Sequence, residues 1–263
     1  MTDIRTLIAF NTATASENKI HDDAVASHFG FTGGLVPGVD VFAYLAHAPM
    51  AKWGKGWLAG GQMRARFLKP VYDGDTAEVS SAETAEGLDL TIKARGDLCA
   101  TGSARQLGAN APTALLAIAP MPDLDTRPPA SMDSLKPAST LGTLRETYTR
   151  AEGLDHIAAV RDDAALYDDG RIANAGWLLR RANYVLADNV RLGPWIHVES
   201  DINMHSLLHD GEDLEVRAVV AENVESKGHL IVTLDVQMLS SGRHIMSCRH
   251  WAIYEPRQVR DKR

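Results

Sequence analysis

The sequence has few residues that could form disulfides or bind a structural metal ion. Its 263 residues include only two cysteines, Cys99 and Cys248, and each falls in a run typical of a β-strand. Because a small thiol often packs inside a sheet, we expect two buried free thiols and no disulfide or redox pair. The candidate metal ligands are His197, His205 and His209. His205 and His209, however, stand at a predicted strand end and turn, where their spacing does not bring both side chains to one face. We therefore expect no metal ion, and no motif calls for a cofactor.

The chain also lacks a basic face and a long apolar run. It carries 27 Lys and Arg residues against 34 Asp and Glu residues, a formal net charge of −7, which argues against nucleic acid or an anionic membrane as its main partner. No apolar stretch approaches the roughly 20 residues that span a bilayer. The first ten residues lack the basic start and apolar core of a signal peptide. A cytoplasmic protein is expected.

An internal repeat divides the chain into two similar halves. With 45% hydrophobic and 23% charged residues, the sequence can bury a sizeable core as one large or two small domains. Residues 73–79 align without a gap to residues 210–216, an offset of 137. The same offset superposes two helical runs, each followed by Gly and Trp before a strand. A single ungapped alignment of the two halves thus matches helix with helix, turn with turn and strand with strand. This predicts two copies of one fold.

Each copy has the pattern of one long helix followed by antiparallel strands, an α+β fold. In the first copy, apolar residues recur at helical spacing from Pro37-Gly38 to near Gly54. Residues 108–142, which include Pro112, are rich in Pro and Ala and indicate an inter-domain crossing between residues 1–107 and 143–263. Strands are predicted at residues 61–71, 76–84, 88–96, 98–107, 196–208, 213–224, 229–239 and 244–254.

Residues 16–38 contain the most informative polar motif. Asn18, His21, Asp22 and Asp23 precede a glycine-marked helix start at Gly38. Groups that can move a proton thus come close to free backbone N–H groups that can hold an oxyanion. We interpret this segment as the candidate active site, and the second copy, which lacks the motif, as the wall of the pocket.

The motif has seven marked positions, which are Asn18, Ile20, His21, Asp23, Gly30, Pro37 and Gly38. Their spacing resembles that of a known family, the MaoC-like, (R)-specific enoyl-CoA hydratase branch of the hot-dog superfamily. The resemblance covers about the first hundred residues and extends to the strand and turn at residues 63–75. It implies a double hot-dog chain with its cleft at the seam between the copies, and it allows a homodimer.

One position departs from the family pattern. Counting back from His21, Ser16 stands where the family has its catalytic Asp. A serine cannot exchange a proton at neutral pH as a carboxylate does. The candidates to replace that acid are Glu17, Asp22, Asp23 and Asp40. Asp23 also fits a structural role, as the cap of the short helix that follows.

The resemblance implies a reaction and a role for each residue. His21 would activate water for attack on an α,β-unsaturated acyl thioester, or act in the reverse dehydration, with Asn18 positioning the water or the imidazole. The backbone at Gly38 and Val39 would hold the carbonyl oxygen. The remaining expected substrate contacts are Asp40, Phe42 and Arg66.

Other functions remain open on the sequence. The carboxylate cluster with Ser16 also suits a thioesterase. The missing Asp makes a lyase or isomerase on a non-thioester substrate credible, and so does a non-catalytic acyl-binding subunit. Acyl carriers compatible with the motif are CoA and a carrier protein.

Overall fold

The computed structural model describes residues 2–14, 16–28, 30–108 and 114–260. Pro112 of the predicted crossing lies outside these ranges. Within them, no helix combines the length and apolar character needed to cross a bilayer. The described helices are α1 (Asp23–His28), α2 (Gly38–Trp53), α3 (Lys55–Leu58), α4 (Arg150–Ala159), α5 (Ala175–Ala187) and α6 (Arg257–Arg260).

Ten strands form one continuous antiparallel sheet in the order β1-β3-β4-β5-β2-β7-β10-β9-β8-β6. The first five belong to the first half of the chain and the last five to the second. Their bounds are β1 (Thr2–Ile8), β2 (Gly61–Phe67), β3 (Thr76–Glu83), β4 (Leu88–Ala94), β5 (Asp97–Gln106), β6 (Leu144–Thr147), β7 (Ile196–Met204), β8 (Asp213–Ser226), β9 (His229–Ser240) and β10 (Arg243–Glu255).

The α+β order agrees with the internal repeat. The starts of α2 and α5 lie 137 residues apart (175 − 38), and so do the starts of β3 and β8 (213 − 76). The predicted helix and strands are confirmed, with most ends displaced by only a few residues. Both cysteines are buried free thiols, as expected. The exact domain boundaries stay a prediction, because the sheet runs through both halves without a break.

The edge strand β1 was not expected from the sequence. It pairs with β3 over its whole length, yet only Leu7 on this strand is buried. A strand at the edge of a sheet keeps most of its side chains in solvent, so it lacks the regular apolar alternation that marks the inner strands.

The two halves join through strand pairing and helix packing. β2 pairs with β7 from Gln62↔Asn203 to Arg66↔Glu199. Above this junction α2 packs on α5, and Gly176 of α5 faces Ala43 of α2 so closely that a Cβ at position 176 would lie 2.5 Å from the Ala43 Cβ. Glycine is therefore needed there for the two helices to approach each other.

A buried ion pair also ties the halves together. The Asp40 carboxylate on α2 is fully buried, accepts a hydrogen bond from the Thr12 hydroxyl at 2.6 Å, and pairs with Arg180 on α5. Arg180 also donates to the Thr12 hydroxyl at 3.0 Å. Because a buried charge is tolerated only with compensating partners, each member of this group depends on the others.

We expect Asp40→Asn to destabilise the fold strongly. The substitution keeps the side-chain shape but leaves the Arg180 guanidinium buried without a counter-charge, and such losses are about 3–5 kcal/mol of unfolding free energy. Urea unfolding monitored by tryptophan fluorescence measures the change. Glu83→Gln, which breaks the exposed pair of Glu83 with Lys52, is the matched control and should have little effect. Equal, small losses in the two variants would show that the buried pair is not a structural tie.

Candidate active site

The larger of the two cavities whose walls contain His21, hereafter the main cavity, lies at the junction of the two halves. It has a volume of about 270 Å³ and is bordered by the start of α2, the end of β2 and the start of β7. Most of its wall is apolar, which suits an acyl chain or another hydrophobic group. The polar side chains in the wall are Asn18, His21, Lys69, Asn183 and His197.

His21 ends a short 3₁₀ turn, Lys19–His21, and points one edge of its ring at the backbone. Its Nδ1 lies 2.6 Å from the Leu35 carbonyl oxygen. Because a carbonyl can only accept a hydrogen bond, Nδ1 carries the proton of the neutral ring. The lone pair is then on Nε2, which is the nitrogen that a general base would use.

Asn18 clamps this turn onto the second half of the chain. Its side-chain amide donates to the Trp195 carbonyl oxygen at 3.0 Å, and its oxygen accepts from the Trp195 N–H at 3.3 Å. The same amide nitrogen lies 3.3 Å from Nε2 of His21. Asn18 therefore orients the imidazole and secures the turn to the loop before β7.

A smaller cavity of about 90 Å³ lies on the other side of this clamp. Ser16, Glu17 and Arg180 contribute to its wall. A cavity of this size is large enough to hold water. The two cavities share the wall residues Asn18, His21, Pro37, Asn183 and Trp195.

Burial sets the protonation state of His21. Desolvation lowers the pKa of the imidazole, and the nearby Arg180 charge lowers it further, while the Leu35 carbonyl and the Asp40 carboxylate raise it. The net shift is downward, so the ring is neutral at pH 7 and available as a base.

The four candidate carboxylates lie in different places. Asp22 caps α1, since its oxygen accepts from the N–H groups of Ala24 and Val25 at 3.0 and 3.1 Å. Asp23 instead accepts from the Gly34 N–H at 2.6 Å, so the expected capping role belongs to its neighbour. Neither side chain lines the two cavities.

The other two acids are held by arginines. Asp40 is buried against Arg180, behind the cavity wall. Glu17 borders the smaller cavity but is 83% exposed and lies 3.3 Å from Arg127. Ser16 accepts a hydrogen bond from the Asn18 N–H at 3.1 Å and also borders the smaller cavity. No described carboxylate lines the main cavity beside His21.

Gly38 lies in the main cavity wall, whereas the other expected substrate contacts do not. The N–H groups of Gly38 and Val39, the first two of α2, have no acceptor among the described residues. The side chains of Val39 and Phe42 belong to the core. Arg66 projects from the outer face of β2 toward Glu199, because alternate residues of a strand face opposite sides of the sheet.

The sequence did not predict that two polar groups of the second half lie in the cavity wall. Asn183 of α5 lines both cavities, and its buried side-chain oxygen has no hydrogen-bond partner among the described residues. His197 of β7 lines the main cavity, and its Nδ1 also has no hydrogen-bond partner among the described residues. Asn183 lies three residues after Arg180 on the predicted helix, so both side chains fall on the same helix face, and this spacing could have placed Asn183 near the site. No feature of the local sequence indicated which way His197 points.

One group has the composition of a metal site. His47, Asp162 and Asp163 place one possible ligand atom each within 4.8 Å of one another. Nδ1 of His47 already lies 2.9 Å from Asp162, whose other oxygen accepts from Asn174 at 2.9 Å. These hydrogen bonds give the cluster a structural role, because they connect α2 to the second half of the chain.

No family model and no curated protein sequence matches the chain. Solved structures do. A protein assigned as a MaoC domain dehydratase from Chloroflexus aurantiacus is 11% identical with a TM-score of 0.67, over 97% of this chain and 95% of its own. Rv0216 from Mycobacterium tuberculosis, described as a double hot-dog fold, is 13% identical with a TM-score of 0.62, over 95% of both chains.

A third match is the dehydratase domain of PpsC from Mycobacterium tuberculosis, in complex with C12:1-CoA. It is 10% identical with a TM-score of 0.54, over 95% of this chain and 93% of its own. Thioesterases are also among the matched structures. At these identities the likeness establishes the fold: the chain is a double hot-dog, as the motif and the repeat predicted.

The environment of His21 predicts its titration. ¹⁵N NMR of the imidazole should show a proton on Nδ1 in the neutral form and a pKa below 6.5. Asn18→Ala removes a donor to the Nε2 lone pair and admits water, so it should raise the pKa of His21 toward its ordinary value. Circular dichroism of the variant checks that it is folded. A wild-type pKa at or above 6.5 would contradict the assigned environment.

Proposed function

We propose that the protein is a hydro-lyase that adds water to an enoyl thioester or removes it from a 3-hydroxyacyl thioester. The observation that carries this proposal is the neutral His21 in the wall of an apolar cavity that also contains the start of α2. Its unprotonated Nε2 lies beside the Asn18 amide nitrogen, at 3.3 Å. A base and an oxyanion site facing one apolar cavity are what this reaction requires.

In the proposed hydration, His21 is the only base. Water displaces the Asn18 N–H from Nε2, which then takes a proton from that water while the water oxygen bonds to the β-carbon. The π electrons move to form an enolate, whose negative oxygen lies at the Gly38 N–H and the positive end of the α2 dipole. The imidazolium then returns the proton to the α-carbon, which regenerates the neutral base and completes the addition.

The two cavities suggest where each reactant binds. The main cavity takes the acyl chain, and the smaller one supplies the water from the Ser16 side of His21. Asn183, which borders both, would accept a hydrogen bond from that water or from the product hydroxyl. Lys69 at the main cavity is 55% exposed and suits a phosphate of the carrier. The CoA ester bound to the PpsC domain supports a CoA thioester as the substrate class.

His21→Ala should lower turnover by about 10²- to 10⁴-fold. A panel of short, medium and branched enoyl-CoA thioesters is assayed for double-bond loss and for free thiol separately. His209→Ala, the same change at an exposed histidine outside both cavities, should leave the rate within about 3-fold of wild type. Thiol release with the double bond intact would instead identify a thioesterase, and turnover of neither kind would refute acyl-CoA chemistry for that panel.

The same base predicts the pH dependence. Because the neutral ring is the active form, kcat/KM should be constant at high pH and fall as the pH drops through the lowered pKa of His21. A profile that rises toward acid pH would require an acid in place of this base.

Ser16→Asp should increase hydration. The carboxylate would stand in the wall of the smaller cavity beside His21, where it can exchange the second proton, so a gain of about tenfold or more is expected. Ser16→Asn has nearly the same shape without the charge and should give no gain. Equal rates in the two variants would show that a carboxylate at this position does not reach the reacting atoms.

A further inference from the structure

His197 is a second histidine in the main cavity, and the mechanism above does not use it. A bulge in β7 places it there. In the pairing with β10, Glu199 lies opposite Trp251 and His197 opposite Ala252, so Val198 is an extra residue. As a result His197 and Ser200, three positions apart, both turn to the buried face of the sheet. Bulges re-aim side chains in this way beside active sites.

The ring of His197 is held in one orientation by its neighbours. Its Nε2 lies 2.8 Å from the Ser200 hydroxyl oxygen, which lies 2.9 Å from Nδ1 of His250. The His250 ring stacks on it at a centroid distance of 4.2 Å, and the Phe67 ring packs edge-on at 4.7 Å. A polar array this well held inside the protein is rigid, because every shift of the ring would break a contact.

The other nitrogen of the ring meets the start of α2. A Cβ at position 38 would lie 2.7 Å from Nδ1 of His197, so the absence of a side chain at Gly38 is what lets the ring approach. Nδ1 has no partner among the described residues although the His197 side chain is more than nine-tenths buried. His197 and Gly38 are therefore neighbours in the same part of the cavity wall.

The hydrogen-bond array indicates which nitrogen holds the proton. Burial lowers the pKa of His197 well below its ordinary value and that of His250 to about 3, so both rings are neutral. If the Ser200 hydroxyl donates to Nε2 of His197, then Nδ1 carries the proton. The reverse arrangement puts it on Nε2 of His250, so in either case one N–H has no acceptor among the described residues. Of the two histidines only His197 is in the wall of the main cavity, where a ligand can accept that hydrogen bond, and this favours the proton on its Nδ1.

We propose that the Nδ1–H of His197 donates a hydrogen bond to the thioester carbonyl oxygen, beside the backbone N–H of Gly38. This inference rests on the proposed function and adds a catalytic residue from the second half of the chain. A neutral imidazole suits the role, since it offers a donor to the enolate oxygen without a charge that would need burial. Removal of one such donor lowers kcat by about 10²- to 10³-fold in comparable sites.

The test is a carbonyl frequency measured without turnover. Butanoyl-CoA and hexanoyl-CoA, labelled with ¹³C at the carbonyl, are bound to wild type, His197→Phe and His197→Asn, and the C=O stretch is recorded by isotope-edited infrared spectroscopy. Wild type should shift the stretch to lower frequency. Phe should lose most of that shift, and Asn, whose amide nitrogen can occupy the position of Nδ1, should retain part of it.

Turnover and pH separate this role from a structural one. His197→Phe should lower kcat by about 10²- to 10³-fold while the acidic limb set by His21 stays in place. If the Phe variant binds the thioester with the wild-type frequency and turns over within 3-fold of wild type, the donor role is wrong although the proposed function stands. If wild type binds neither labelled thioester, the proposed function fails, and the inference fails with it.

A measurement on the wild type keeps the proposal testable should His197→Phe not fold. ¹⁵N NMR of His197 should place its proton on Nδ1, and the Nδ1 resonance should move when butanoyl-CoA binds. A proton on Nε2 in the bound state would overturn the proposal.

Discussion

Pairing between β2 and β7 determines where every group of the candidate site can lie. These hydrogen bonds merge two five-stranded halves into one sheet and bring the end of β2 beside the start of β7. The start of α2 then lies over that junction, so that Gly38 meets His197 and the Asn18 side chain reaches Trp195. The cavity exists because two halves meet there, and neither half encloses it alone.

The same junction explains why the site combines polar groups with few charges. The charges that are buried near it, on Asp40 and Arg180, neutralise each other behind the wall. The uncharged polar side chains in the wall of the main cavity are two amides and two neutral imidazoles, and burial lowers the pKa values of the imidazoles. Such groups can donate and accept hydrogen bonds without the desolvation cost of an ion. A single-base mechanism is consistent with this composition.

The departure at Ser16 also has a structural context. A carboxylate there would face the smaller cavity, close to Arg180 and to the clamp that holds His21. In its place the serine hydroxyl accepts the Asn18 N–H and stabilises the turn. In the proposed reaction the first half supplies the base and the start of α2, and the second half supplies hydrogen-bonding groups on α5 and β7.

The sequence by itself determined the two central helices, α2 and α5, and the inner strands, because these depend on local periodicity and glycine punctuation; the motif spacing indicated His21. The tertiary structure decided the rest. Because β1 is an edge strand, its sequence lacks the apolar alternation by which a strand is predicted. The roles of Asp22 and Asp23 depended on which backbone N–H groups the fold brings to each carboxylate. Contacts between residues more than a hundred positions apart placed Arg180 on Asp40, and a one-residue bulge turned His197 inward. Long-range contacts and register shifts of this kind leave no local signal in a single sequence, since they arise only when the two halves pack together.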